Sequence, residues 1–411
     1  MELPTLMPTR TLAFTLVVGA ALMGATAFVN AEARLPPVPE REWTAAQRSI
    51  AARFAVDGRS SNALRTYLHH PVLAENILPF ERYIVQESTL TPRHRALLIL
   101  RTAWLCRSGY VWALHADRAR AAGISSDELT RIARGPDAPG WQPFEAALLR
   151  AADELLVDAF VSDATWATLS MRFDTRELMD AVFTVAEFTM IAGTVNSLDV
   201  QADDWLKERL PVSLPATAAV ARTNVRLIGK APRIAPLEPS DWSPEVKAWL
   251  ARYGNRPVAG IYRTYARHLA MDRPRTGVSE HIRQSSTLSE RIRELLIVRI
   301  GVLCRSEYEW AAHAPALRRA GMTDAEIQAV VEGPAAVRDP VERMLVRAVD
   351  ELYTDAVVSD STWRELSSRF EARQMLDILT TVGGYRMVSM ALNTFGVQLE
   401  PDAERFPAAL R

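Results

Sequence analysis

The chain is poor in cysteine, poor in lysine and without an excess of either charge. Cys106 and Cys304 are the only cysteines among 411 residues, too few for a disulfide framework or a four-cysteine zinc site. Lysine stands only at Lys207, Lys230 and Lys247, so Schiff-base chemistry has few candidates and arginine carries the positive charge. The 48 Lys+Arg face 49 Asp+Glu, a net charge of -1, and this balance argues against the basic surface by which proteins grip nucleic acid. No HExxH or paired-histidine spacing marks a metal. What is present, 48% hydrophobic and 24% charged residues, is ordinary globular composition over a length that suits two domains.

One run stands apart from the rest. Thr11–Val29 carries no charge, follows Arg10 and precedes a proline-rich stretch, which is the pattern of a secretory signal. The run is also about long enough for a single membrane-crossing helix. Residues 1–33 are therefore expected to be a signal peptide or N-terminal anchor, and the body to be exported, periplasmic or secreted, with the membrane as a partner only through that anchor.

The body is written twice. LLILRTAWLCRS at Leu97–Ser108 returns as LLIVRIGVLCRS at Leu295–Ser306, with eight of twelve positions identical. The match extends from Arg65-Thr66-Tyr67 and Arg263-Thr264-Tyr265 through Arg150–Trp166 and Arg347–Trp363 to Asn196 and Asn393. Internal similarity at one long period means duplicated structure. Between the copies, Pro211, Pro215, Pro232, Pro236 and Pro239 cannot sustain a helix and favour an extended connector. The expected organisation is a first domain at 34–210, a linker at 211–239 and a second domain at 240–411.

Each copy has helical rather than alternating apolar spacing. Ser125–Glu128 and Thr323–Glu326 read as N-terminal caps behind Gly123 and Gly321, and the repeated Asp163 and Asp360 read as caps too. The fold class is all-α, with about six helices in each copy.

The chemistry concentrates in the second copy. Glu309 and His313 lie four apart, on one face of a helix, and Glu294 and Arg299 lie on the segment before it. If the two segments fold back on one another, carboxylates, an imidazole and an arginine converge as an acid/base site beside an anion holder. Arg305 shares the four-residue spacing with Glu309, and Tyr308 and Trp310 flank it. The first copy keeps Tyr110, Trp112 and His115 but has Ala96, Gly109 and Val111 where the second has Glu294, Glu307 and Glu309, so it reads as a scaffold copy. Plainer alternatives remain open at these residues. Glu309 and His313 are then a simple helix pair, Tyr308 and Trp310 packing groups, Cys106 and Cys304 small buried apolar groups, and Arg101 and Arg299 ion-pair partners of acids such as the pairs Asp153-Glu154 and Asp350-Glu351.

At Tyr308–His313 and Ala320-Gly321, and again at Arg386–Gln398, the chain resembles the carboxymuconolactone decarboxylase family, which includes the alkyl hydroperoxidase D-like proteins. The resemblance implies two tandem alkyl hydroperoxidase D-like helical domains, the first degenerate. In the hydroperoxidase branch a glutamate, a CxxC pair and a histidine form a proton relay; here the glutamate falls on Glu294 and the histidine on His313, but the cysteine positions hold Ser306 and Glu309. The implied activity is instead a cofactor-independent lyase, decarboxylase or isomerase acting on a small anionic, lactone-like molecule. Its catalytic residues would be His313, Glu294 and Glu309, its substrate-binding residues Arg299, Arg305, Tyr308 and Trp310, with no cofactor or metal. The alternatives are a non-catalytic binding or scaffold protein of the same fold and, third, a peroxidase-like protein lacking its thiol pair. The family's assemblies imply a homo-oligomer, a trimer of two-domain chains.

Overall fold

The computed structural model describes residues 33–56, 58–211, 226–254, 257–407 and 410. The apolar run Thr11–Val29 and residues 212–225 of the connector lie outside the described residues. Among those described, every regular element is helical and no strand forms. Each copy runs in the same order. Pro71–Arg82 and Leu269–Glu280 each pass into a short π-helical turn, Tyr83–Glu87 and His281–Ser285. Next come the hairpins Pro92–Leu105 with Gly109–Ala121 and Glu290–Leu303 with Glu307–Arg319, and the capped helices Ser126–Arg134 and Asp324–Glu332. Pro143–Asp158 and Pro340–Asp355 follow, and the long helices Thr175–Ser197 and Ala372–Phe395 close the copies. Short helices such as Asn62–Tyr67 and Asp163–Ser170 bring each copy above the expected six.

Local chemistry explains the breaks between these helices. Ser125 and Thr323 each accept from the backbone three residues on, and Glu128 and Glu326 return the bond, so both capping boxes form as expected. Asp163 and Asp360 correct the expectation: the caps are Ser162 and Ser359, and each aspartate is the first helical residue. There the acids suit the positive end of the helix, and they pair with Arg233 and Arg34. The duplication extends to unusual backbone. Arg107 and Arg305, in the two hairpin turns, both have φ of 52°, a left-handed conformation that costs a side-chain-bearing residue about 1 kcal/mol.

Residues 33–411 form one compact unit, because the copies pack on each other through their most apolar elements. Thr175–Ser197 lies along Ala372–Phe395. It is the one described helix long and apolar enough to cross a membrane, but the whole of its apolar window is buried, as in the core of a globular body. A β-carbon at Gly383 would stand 2.4 Å from Met190 Cγ, and one at Gly277 2.4 Å from the Asn76 carbonyl; only glycine lets these helix pairs approach so closely.

Reciprocal bonds join the copies. Asn196 Nδ2 donates to the Cys106 carbonyl of its own copy and to Ala356 of the other, while Asn393 donates to Cys304 and Ala159. His70 lies 3.3 Å from Asp377, and His268 donates to or accepts from the Tyr83–Asp180 pair at 2.9 and 3.2 Å. These histidines, which no sequence pattern paired, are thus bound across the copies. In its described part the connector turns at Ile228-Gly229, where Lys230 N donates to the Leu227 carbonyl, and Arg233 and Ile234 donate their backbone N–H groups to the Phe395 carbonyl.

Candidate active site

The second hairpin carries the cluster. Ser289 Oγ caps Glu290–Leu303 by accepting from Ile292 N, and the buried run Leu295–Val298 anchors the helix to the core. Glu294, one residue before that run, is 5% exposed. The chain turns through Cys304-Arg305-Ser306 and returns as Glu307–Arg319, which lays Glu309 and His313 against Glu294. His313 Nδ1 is 2.6 Å from Glu294 Oε2, and His313 Nε2 is 3.4 Å from Glu309 Oε2. The short contact to Glu294 makes Nδ1 the donor, so in the neutral ring Nε2 is the atom left for chemistry. The side chain of His313 is 16% exposed against 6% for Glu294 and 4% for Glu309, which makes the imidazole the member that a substrate meets.

The two carboxylates differ in proton affinity. Burial works to raise Glu294, but the hydrogen bond and charge of His313, with Arg293 at 3.3 Å, outweigh it and lower its pKa. Glu309 has less compensation: burial and the nearby Glu294 charge outweigh the attraction of His313 and raise its pKa to about 7. One carboxylate thus stays ionised and orients the ring while the other holds a proton that can move near neutrality, a division of labour that suits acid/base work.

The remaining expected residues fall elsewhere. Arg299 is not an anion holder: its guanidinium meets Asp350 through two bonds of 2.6 and 2.7 Å and caps the carbonyls of Val330 and Val331. Arg305 sits in the hairpin turn, eight residues and about 12 Å of helix from His313. Trp310 is 3% exposed and packs on Phe406, with ring centroids 5.7 Å apart. Tyr308 is half-buried beside Glu400 and accepts from the Ile261 backbone. Trp310 thus packs against the chain's terminal segment, whose return over the helix nothing local in the sequence shows.

Residues not anticipated complete the site. Tyr385, on Ala372–Phe395, stands edge-on to His313 with centroids 4.9 Å apart, and burial with the Glu309 and Glu294 charges raises its hydroxyl well above the usual range. Arg293 bonds to Glu294, and Arg283 bonds to Tyr262 at 3.3 Å and lies within electrostatic reach of Tyr385. Tyr385 directly precedes the quoted Arg386–Gln398 ending; its meeting with His313 depends on the packing of a helix some seventy residues away. The cysteines do not contribute: both are buried in the core, and burial pushes the Cys106 thiol up to about 12.

A second titratable cluster lies between the copies. His70, His281 and Asp377 are buried with one ligand-type atom each within 4.8 Å, a set that could offer donors to a metal. Burial works to raise Asp377, yet bonds from His281, His70 and Thr287 hold it well below the usual carboxylate range. The reciprocal position holds Tyr83 with His268 and Asp180, closed by hydrogen bonds without a second imidazole, and the same network logic accounts for both.

The fold and cluster define a duplicated all-α protein whose copies present one histidine each at the same place, one of them between two carboxylates. The carboxymuconolactone decarboxylase family model matches the chain twice, at residues 71–154 and 271–351. Both copies are thus similar to that family over these segments, as expected of a tandem duplication of its domain. No curated protein matches it. The second matched segment contains Glu294, Glu309 and His313 and stops short of Tyr385.

Proposed function

We propose that the second copy is a cofactor-independent acid/base site that acts as a decarboxylase, isomerase or related lyase on a small anionic, lactone-like molecule. The observation that carries this reading is His313 held between an ionised Glu294 and a protonatable Glu309, with the ring as the exposed member. In a decarboxylation, the bond between the substrate carbon and its carboxylate breaks, carbon dioxide leaves and the electron pair moves into the conjugated carbonyl. His313 Nε2–H then returns a proton to carbon, with Glu294 stabilising the imidazolium and Glu309 exchanging the proton. Arg293 and Arg283 supply the positive charge that holds the anion, in place of Arg299 and Arg305.

Full-length protein incubated with carboxymuconolactone and related unsaturated lactone acids tests the reading through ultraviolet absorbance and carbon dioxide release. Turnover that disappears in His313→Gln supports it; equal rates in both proteins, or none in either, overturn it. The same proposal includes export by the Thr11–Val29 run and assembly as a trimer of chains, for which fractionation and light scattering are the checks.

A further inference from the structure

The two ends of the contact between the copies are built from equivalent residues but are covered differently. At one end the connector lies in a groove. Arg226 donates to both carboxylate oxygens of Asp158, at 3.0 and 3.3 Å, and to its carbonyl at 3.0 Å. Gln398 holds the next residues by their backbone: its Oε1 accepts from Gly229 N at 2.7 Å, and its Nε2 donates to the Leu227 carbonyl at 2.9 Å. Only about 10 Å³ is left beside this segment.

At the other end the same frame has no such cover among the described residues. A groove of about 920 Å³ runs between Tyr110, Asn196 and Gln201 of the first copy and Glu351 and Asp355 of the second. The repeat makes Asp355 the counterpart of Asp158, and Gln201 that of Gln398. Gln201 is already set like its counterpart: its Nε2 donates to the carbonyl two residues earlier, Asp199 at 2.9 Å, as that of Gln398 does to Gly396 at 2.6 Å. Asp158 is 4% exposed under Arg226, whereas Asp355 is exposed and meets the Thr354 hydroxyl at 3.0 Å. The other lining charges are Glu351, engaged by Ser359 and Thr362, Arg209, engaged by the Leu206 and Glu208 carbonyls, and one of each sign at Arg107 and Asp199. One difference shapes the ligand. A β-carbon at Gly396, where φ is 72°, would stand 2.9 Å from Leu227 Cδ1 and 3.0 Å from its Cβ. Its counterpart Asp199 keeps the left-handed backbone, at φ 53°, and carries that β-carbon.

We propose that this groove binds an extended, arginine-bearing peptide of another protein, with the arginine on Asp355, the backbone that follows clamped by Gln201, and glycine where the connector has Leu227. The guanidinium fork matches the two oxygens of Asp355 as it does those of Asp158. Main-chain bonds to Gln201 give affinity, and the arginine with the glycine beside Asp199 gives specificity. A free peptide loses ordering entropy that the tethered connector does not, so its affinity is modest. The site is separate from the one at His313.

Calorimetric titration of the full chain with the blocked peptide Val-Arg-Gly-Ile-Gly-Lys-Ala, which is the sequence of residues 225–231 with glycine for Leu227, tests the proposal. The expected result is saturable binding that weakens about tenfold in Asp355→Asn, and about tenfold again for a peptide with glutamine in place of its arginine, the lower end for a hydrogen bond to a charged group because Asp355 lies near water. Gln201→Ala should cost about threefold to tenfold, and His313→Gln should leave binding unchanged. The peptide with leucine restored should bind more weakly than the glycine peptide, and Asp199→Gly should recover it. Circular dichroism establishes that each variant is folded. Absence of saturable binding, binding that survives loss of either charge, or a leucine peptide that gains nothing from Asp199→Gly would each overturn the assignment. So would binding seen only once residues 1–32 are removed, which would make the start of the chain itself the occupant.

Discussion

His115 and His313 stand at the same place in two copies of one fold, each edge-on to an aromatic ring from the long closing helix, Phe188 in one case and Tyr385 in the other. Around His313 are Glu294 and Glu309; at the equivalent positions near His115 are Ala96 and Val111. These two substitutions take away the carboxylates beside the ring, and Arg118 and Arg95 act on His115 instead. Burial, Arg118 and Arg95 together push the His115 pKa well below its ordinary 6.5, so that ring is neutral and stores no proton at physiological pH. The lesson is that duplication preserved the frame while the charges at one point of it diverged, and chemistry follows such local differences rather than the fold.

The largest test of that contrast is kinetic. His313→Gln should lower kcat on the substrate of the second copy by about 100- to 10,000-fold, the usual worth of a general acid or base, while His115→Gln leaves it within about twofold. Steady-state rates of both variants check this, and equal losses would mean that the copies act as one site.

A stability comparison comes next. Arg101–Asp153 and Arg299–Asp350 are equivalent, but the side-chain exposures are 0% and 4% in the first pair and 7% and 27% in the second. Removing Asp153 as Asp153→Ala strands a buried guanidinium and should cost about 3–5 kcal/mol, whereas Asp350→Ala, whose arginine is nearer water, should cost about 1–3 kcal/mol. Urea unfolding of the two variants measures the difference.

The pH dependence sharpens the comparison further. Glu309 has a folded pKa of about 7 against an ordinary 4.5. A raised carboxyl pKa means that the folded state binds the proton more tightly, so the contribution to stability is full below pH 4.5 and is lost as the pH rises through 7. Glu309→Gln should therefore show a flatter stability profile between those values, and an activity profile without its ionisation near pH 7. Val111→Gln in the first copy should change neither profile, as thermal unfolding and rates across pH would show.

The smallest expected effect is at the thiols. Cys106 and Cys304 are buried at equivalent helix ends, so a maleimide should label them only when the chain unfolds, and Cys304→Ser should retain activity. Rapid labelling of the folded protein with loss of turnover would revive the thiol-dependent alternative.

The two copies, their helical class and the Glu309–His313 spacing were legible because they are local or periodic: a repeat is visible as identity, and residues four apart on a helix share a face. Glu294 was legible through the family resemblance, since the hairpin bringing it to His313 is short. Of the two readings of Arg299 the plainer one holds, because an arginine points by helical phase and its phase turns it to Asp350. Trp310 is the packing group that the plainer reading made it, but nothing local shows that its partner is Phe406 from the chain's end.

The sequence by itself determined that the chain is a duplicated helical protein with Glu294 and Glu309 in one copy and Ala96 and Val111 in the other, because helix periodicity, capping and substitution between repeats are properties of neighbouring or aligned residues. Only the tertiary structure decided that Tyr385 meets His313 and that His70 and His268 cross between copies. Those facts depend on how distant helices pack, and on a balance of burial against charge that exists only once water has been excluded from between them.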